Sequence, residues 1–103
     1  MVYNKLVRDR IPDLITAQGQ KPHTRILDDG EYTRALEAKL DEEVGEYHRD
    51  RNVGELADIL EVVYALAANL GCSREELEDT WRRKHDERGG FAQRIFLISK
   101  DEG

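Results

Sequence analysis

Two short acidic patterns in the middle of the chain have the residue types that bind a divalent cation. They are Glu42-Glu43-x-x-Glu46 and Glu55-x-x-Asp58. Acids three residues apart lie one turn apart on the same side of a helix. Carboxylate oxygens are the ligands that Mg²⁺ prefers, in an octahedron that keeps several waters and leaves positions for phosphate oxygens. On two facing helices, these acids predict a magnesium site with positions left for phosphate oxygens.

The apolar spacing around both patterns predicts two long helices. One runs from about Glu31 to Asp50 and follows the turn signal Asp28-Asp29-Gly30. The other runs from about Glu55 to Leu70 and ends at Gly71. Because only a short polar break separates them, we expect the two helices to pack as antiparallel neighbours.

A buried apolar stripe is predicted on each of these helices. On the first helix it consists of Leu36, Leu40, Val44 and Tyr47. On the second it consists of Leu56, Ile59, Leu60, Val63, Leu66, Ala67 and Leu70. At about 100° per residue, Glu43 falls inside the first stripe and Glu46 on its flank, whereas Glu42 lies nearer the polar side. The acids of the second helix follow one border of its stripe, so the two acidic borders can face each other.

Four carboxylates at one seam between helices repel each other. Each pair at about 5 Å costs roughly 3 kcal/mol if the effective dielectric constant is near 20. A bound cation offsets that cost, which favours a metal site. Two alternatives stay open on the residues alone: a solvated acidic face, and an internal ion pair between Glu43 and a Lys or Arg.

Two further helices are predicted outside the central pair. A short one lies near Pro12 to Gln18, where proline is compatible with the first turn. Ser73-Arg74-Glu75-Glu76 has the capping-box form and predicts a third main helix that extends to about Arg88. Leu77 and Trp81 give this helix an inward face.

Two stretches are candidates for short strands, near residues 23–27 and 94–99. The second includes the continuous apolar run from Ile95 to Ile98, which fits a short buried strand or a packed tail. With these elements we expect a mainly α-helical protein, a helical bundle in one domain over residues 1–103.

The composition of the chain limits its partners and its compartment. A net charge of −6 with 37% charged residues disfavours a nucleic-acid-binding surface. Cys72 is the only cysteine, so an intrachain disulfide is excluded. The longest apolar stretches are too short to span a bilayer. We therefore expect a cytoplasmic protein without a nucleic-acid or membrane partner, and oligomerisation, because so short a chain supports a charged pocket poorly.

In their sequence context the acidic patterns resemble the E-E-x-x-E and E-x-x-D signature of the MazG-like all-α nucleoside triphosphate pyrophosphohydrolases. The residues that carry the resemblance are Lys39-Leu40-Asp41-Glu42-Glu43-Val44-Gly45-Glu46 and Glu55-Leu56-Ala57-Asp58-Ile59-Leu60-Glu61. Three more segments look like a small MazG-like subgroup labelled phosphoribosyl-ATP pyrophosphohydrolase-like: Tyr3-Asn4-Lys5-Leu6-Val7-Arg8-Asp9, Arg25-Ile26-Leu27-Asp28 and Arg88-Gly89-Gly90-Phe91. The resemblance covers nearly the whole chain.

The resemblance implies a helical homodimer or homotetramer that uses Mg²⁺, or Mn²⁺, to hydrolyse a nucleoside triphosphate to the monophosphate and pyrophosphate. Matched position by position, it assigns Glu43, Glu46, Glu55 and Asp58 as metal ligands. It makes Glu42 either a residue that supports these ligands or the base that orients the attacking water.

Four basic residues are candidates to bind the phosphate chain and the leaving pyrophosphate. They are Lys5, Arg8, Lys84 and Arg88. For each of them, a solvated surface charge is the alternative.

Three other functions stay open beside a nucleoside triphosphate pyrophosphohydrolase. One is hydrolysis of phosphoribosyl-ATP. Another is a catalytically inactive oligomerisation or regulatory module that retains the metal site. The last is a helical interaction protein without a metal.

Overall fold

The computed structural model describes residues 1–102, which form four helices and no strand. In chain order these are α1 (Ile11–Ala17), α2 (Asp29–Asp50), α3 (Val53–Asn69) and α4 (Arg74–Arg88). The prediction of a mainly α-helical protein is confirmed. The chain is open, because its Cα radius of gyration is 18.3 Å, whereas a compact domain of this length has about 13 Å.

A complete capping box fixes the start of α2. The Asp28 carboxylate accepts a hydrogen bond from the Glu31 N–H at 2.9 Å, and the Glu31 carboxylate accepts one from the Asp28 N–H at 3.3 Å. These bonds satisfy N–H groups that a helix start otherwise leaves free. The Arg25 guanidinium binds both oxygens of Glu31 and, together with the hydrogen bond from the Asp28 N–H, lowers the pKa of that carboxyl to about 2.

A tight break turns the chain from α2 into α3. Arg51 adopts a left-handed conformation with φ 50°, and its N–H donates to the Tyr47 carbonyl at 2.8 Å. The Asn52 side chain then accepts from the Glu55 N–H at 3.0 Å, so α3 begins at Val53, slightly earlier than predicted.

The two long helices run antiparallel, as expected. Near the open end of the hairpin, the Asn69 amide of α3 donates to the Thr33 hydroxyl of α2 at 2.9 Å. The end of α3 therefore lies beside the start of α2.

Helix α4 leaves this hairpin at an angle of 107° to α3. Gly71, with φ 81°, ends α3, and the Ser73 hydroxyl caps α4 by accepting from the Glu76 N–H at 3.1 Å. Tyr64 of α3 donates to the Glu78 carboxylate at 3.2 Å, which joins the two helices near the start of α4. No single helix within residues 1–102 has the length and apolar composition to cross a membrane, although α3 and α4 taken together as a bent pair do.

The apolar core is small. Within residues 1–102 the buried apolar residues are Leu36, Val62 and Ala67. The predicted stripe on α3 is only partly buried, since Leu56 and Leu60 are 48% and 47% exposed. A helical hairpin buries one seam, and the broad apolar arc of α3 extends past that seam.

Several other apolar predictions were wrong for the single chain. Leu70 is 86% exposed at the end of α3. Trp81 does not face inward, because it is 60% exposed and stacks on His85, with 5.3 Å between ring centroids. Helix α4 contacts α3 mainly near the start of α4, so no other helix covers Trp81.

Neither candidate strand forms. Residues 23–27 and 94–99 have no strand partner, because every other regular element within residues 1–102 is a helix. Extended chain without a neighbouring strand cannot pair its backbone groups. The apolar side chains from Ile95 to Ile98 are all largely exposed, so this run is neither a buried strand nor a packed tail.

Candidate metal centre

The four predicted metal ligands lie together at the seam between α2 and α3. Glu43 and Glu46 come from α2, and Glu55 and Asp58 come from α3. One carboxylate oxygen of each lies within 4.8 Å of the others. Oxygens bound to one Mg²⁺ at about 2.1 Å are at most about 4.2 Å apart. Small side-chain movements therefore separate this arrangement from a ligand set for one divalent cation.

Glu43 is the buried member of the cluster, with a side chain that is only 8% exposed. Lys39, one turn earlier on α2, forms an ion pair with its Oε1 at 3.3 Å. The Oε2 of Glu43 is buried and has no hydrogen-bond partner within residues 1–102. Burial, with the nearby Glu46 carboxylate, raises the pKa of Glu43. The internal ion pair and the free oxygen thus occur on the same carboxylate, which leaves one oxygen able to bind a metal.

Glu55 presents a second buried oxygen, its Oε2, which has no hydrogen-bond partner in the described part of the chain. Desolvation raises the pKa of Glu55, and the carboxylates of Glu46, Asp50 and Asp58 raise it further. Buried carboxylate oxygens without donors are costly and uncommon in native proteins. Two of them in a set of hard oxygen ligands fit a divalent cation, since a cation offsets both desolvation and mutual repulsion.

Glu42 lies beside the cluster and is held by two lysines. Lys5 Nζ is 3.0 Å from its Oε1, and Lys39 Nζ is 3.4 Å from its Oε2. The hydrogen bond from Lys5 and the charge of Lys39 lower the pKa of Glu42. Because a carboxylate with two ammonium partners is a poor proton acceptor, Glu42 is a poor base while both Lys5 and Lys39 bind it.

Arg8 reaches the opposite helix. Its Nη1 is 3.2 Å from Asp58 Oδ1, and its Nη2 is 3.8 Å from Glu61 Oε2. The segment from Asn4 to Arg8, which we call the basic segment, therefore contacts α2 through Lys5 and α3 through Arg8. Together with α2 it encloses a cleft of about 120 Å³, lined in part by Lys39 and Glu42.

The structure does not bring Lys84 and Arg88 to the carboxylates. Both lie on α4, which packs against α3 but not α2 and diverges from α3 by 107°. Within residues 1–102 neither forms an ion pair, and Arg88 lines a separate open cavity of about 190 Å³ next to Gly89 and Gly90. Their role in phosphate binding stays a prediction.

Lys39 is a site residue that the sequence analysis did not single out. It is only 14% exposed and pairs with Glu42 at i+3 and Glu43 at i+4. This spacing is the standard one for ion pairs along a helix. Once Glu43 was placed inside an apolar stripe, the same spacing rule identifies Lys39 as its partner.

Comparison with known proteins adds a relative but no function. No family model matches the chain. Over 42 residues, 41% of this chain, the sequence is 64% identical to an uncharacterized protein from Mycolicibacterium smegmatis, and the match covers 43% of that relative's length. No solved structure matches the chain. The MazG-like hypothesis therefore depends on the motif residues and their geometry.

Proposed function

We propose that the protein is a metal-dependent nucleotide pyrophosphohydrolase that cleaves a nucleoside triphosphate to the monophosphate and pyrophosphate. The observation that carries this proposal is the set of four converging carboxylates, two of which, Glu43 and Glu55, keep a buried oxygen without a donor among the described residues. Lys5 and Arg8 lie at the edge of the same cluster. A cation site bordered by basic side chains is suited to a phosphate chain. The MazG-like signature supplies the reaction class.

Each part of the site has a distinct role in this proposal. Glu43, Glu46, Glu55 and Asp58 would hold the cation. When bound, Mg²⁺ or Mn²⁺ would offset the charge of phosphate oxygens and position a water for in-line attack.

The protein's own groups then complete the reaction. Lys5 and Arg8 donate to phosphate oxygens and stabilise the negative charge of the leaving pyrophosphate. With Lys5 engaged by phosphate, Glu42 accepts the proton of the attacking water. One P–O bond forms to the water oxygen, and the P–O bond to the leaving pyrophosphate breaks.

The reaction is tested by pyrophosphate release from a panel of nucleoside triphosphates and phosphoribosyl-ATP, with Mg²⁺, Mn²⁺ or a chelator. We expect metal-dependent release from at least one substrate. Glu43→Gln and Asp58→Asn should reduce it to background, whereas Glu37→Gln should not, because Glu37 is an exposed acid of α2 outside the cluster.

The possible outcomes separate the candidate functions. Release that is unchanged in Glu43→Gln and Asp58→Asn would show that these residues are not ligands. Release from phosphoribosyl-ATP alone would favour that substrate. Absence of release from the whole panel, with Mn²⁺ still bound, would favour an inactive module that retains the metal site.

We also propose that the protein works as a homodimer or homotetramer. The single chain exposes 9527 Å², whereas a compact monomer of its mass exposes about 6,000 Å². Obligate homodimer interfaces bury about 2,000 to 5,000 Å² over both chains. The excess surface of one chain, about 3,500 Å², is sufficient for such an interface. Half-exposed Leu56 and Leu60 on α3 and the apolar side chains from Ile95 to Ile98 can supply its core.

A further inference from the structure

The basic segment and a divalent cation need the same carboxylate. Arg8 Nη1 lies 3.2 Å from Asp58 Oδ1, and Asp58 is one of the four converging acids. Lys5 binds Glu42, whose α2 neighbour Glu43 belongs to the same cluster. The basic segment thus supplies part of the positive charge that the cluster requires.

The contacts of the basic segment are of a kind that a ligand can displace. The backbone of residues 1–7 forms no hydrogen bond with other backbone groups within residues 1–102. The Arg8 and Lys5 side chains are 60% and 42% exposed in their ion pairs. Exposed ion pairs of long side chains are weak, because water screens them and ordering the side chains costs entropy. A divalent cation at the cluster competes with Arg8 for Asp58, because carboxylate oxygens are the ligands it prefers.

We propose that the basic segment is a strap that closes the metal site of the free protein, is displaced from Asp58 when a divalent cation binds, and closes again on the phosphate chain. This inference rests on the proposed function, whose cation and phosphate sites it uses. Arg8 passes from Asp58 and Glu61 to phosphate oxygens, and Lys5 passes from Glu42 to the same chain. The metal therefore binds first, and phosphate then recloses the strap and frees Glu42 from Lys5.

Metal affinity without any nucleotide gives the first test. Mn²⁺ binding to the full chain is measured by calorimetry and by the electron paramagnetic resonance of free Mn²⁺. We expect Arg8→Gln to bind Mn²⁺ several-fold more tightly than wild type, because its competitor for Asp58 is gone. Arg82→Gln is the matched control, since it removes the same charge from an ion pair with Asp79 on α4, and its affinity should equal that of wild type.

The position of the strap gives the second test. The amide heteronuclear NOE of Leu6 and Val7 reports the rigidity of the segment. In the wild type we expect it to fall when Mg²⁺ is added and to rise when inorganic triphosphate is then added. In Arg8→Gln it should be low from the start and should change little with Mg²⁺.

The outcomes distinguish failure of the strap proposal from failure of the proposed metal site. If no variant binds Mn²⁺, the metal site itself is wrong. If Mn²⁺ binds but Arg8→Gln binds it no more tightly than wild type, the strap is overturned and the site stands. Tighter binding with no change at Leu6 and Val7 also overturns the strap, because the lost charge then explains the affinity by itself.

Discussion

Glu43 on α2 and Glu55 on α3 each keep one buried carboxylate oxygen without a hydrogen-bond donor within residues 1–102. Burial raises the pKa of both carboxyls, so their ionisation opposes folding near neutral pH. An apolar pair at this seam would avoid that cost. Local conflict between packing and charge is typical of functional sites, and a cation bound here would remove the conflict.

Mg²⁺ is expected to stabilise the folded protein through Glu55. A ligand that binds only the native state stabilises it by about 2.7 kcal/mol at about 100 times its Kd. Calorimetric unfolding with and without Mg²⁺ measures this gain. Glu55→Gln should lose it because a ligand is lost, and Glu37→Gln, which removes an exposed charge from α2, should retain it. An equal gain in Glu55→Gln would remove Glu55 from the ligand set.

Without metal, the same Glu55→Gln variant is expected to be more stable than wild type near neutral pH. The folded-state pKa of Glu55 is raised above its ordinary value of 4.5, so its contribution to stability is present below that pH and is lost as pH rises through the folded-state pKa. Glutamine resembles the protonated form at every pH. Urea unfolding in a chelator should therefore show equal stabilities near about pH 4 and a more stable variant near about pH 7. A difference that does not depend on pH would contradict this explanation.

The carboxylate cluster was predictable because it depends on local rules. The one-turn spacing of Glu43 and Glu46, and of Glu55 and Asp58, follows from helical periodicity. A short break between two apolar helices then makes an antiparallel hairpin, which brings the two pairs together. Predicting the cluster therefore requires only the periodicity of two helices that are adjacent in sequence.

Burial and strand pairing were less predictable because they depend on what else is present. The periodicity of Leu56 and Leu60 marks an apolar face but does not say whether a partner covers it, and in the single chain none does. The apolar run from Ile95 to Ile98 likewise cannot form a strand without a second one. The ion pair between Lys5 and Glu42 joins residues that are distant in sequence, and helix periodicity does not predict such contacts.

Lys39→Met is expected to destabilise the protein by about 3 kcal/mol without metal, because removing one partner of a buried pair leaves the other charge uncompensated. Lys39 and Glu43 have only 14% and 8% of their side chains exposed, so solvent screens this pair little. Urea unfolding measures the loss. Lys21→Met, at an exposed lysine that forms no ion pair within residues 1–102, should change stability by less than about 0.5 kcal/mol.

Mg²⁺ should partly restore the stability of Lys39→Met. Mg²⁺ places positive charge next to Glu43 and should recover more stability in Lys39→Met than in wild type. If Lys39→Met is as stable as wild type in a chelator, Lys39 does not neutralise Glu43, and the ion pair at 3.3 Å has no energetic role.

The exposed apolar face of α3 is expected to form the interface between copies of the chain. Leu60 is 47% exposed although it lies on a helix whose other side packs against α2. A buried glutamate at an interface costs several kcal/mol because it lacks a partner, so Leu60→Glu should shift the mass measured by light scattering from dimer or tetramer to monomer. Thr24→Glu, which adds the same charge at an exposed residue outside the helices, should leave the mass unchanged. Circular dichroism shows whether Leu60→Glu keeps its helices; a helical variant with the wild-type mass would exclude this face from the interface.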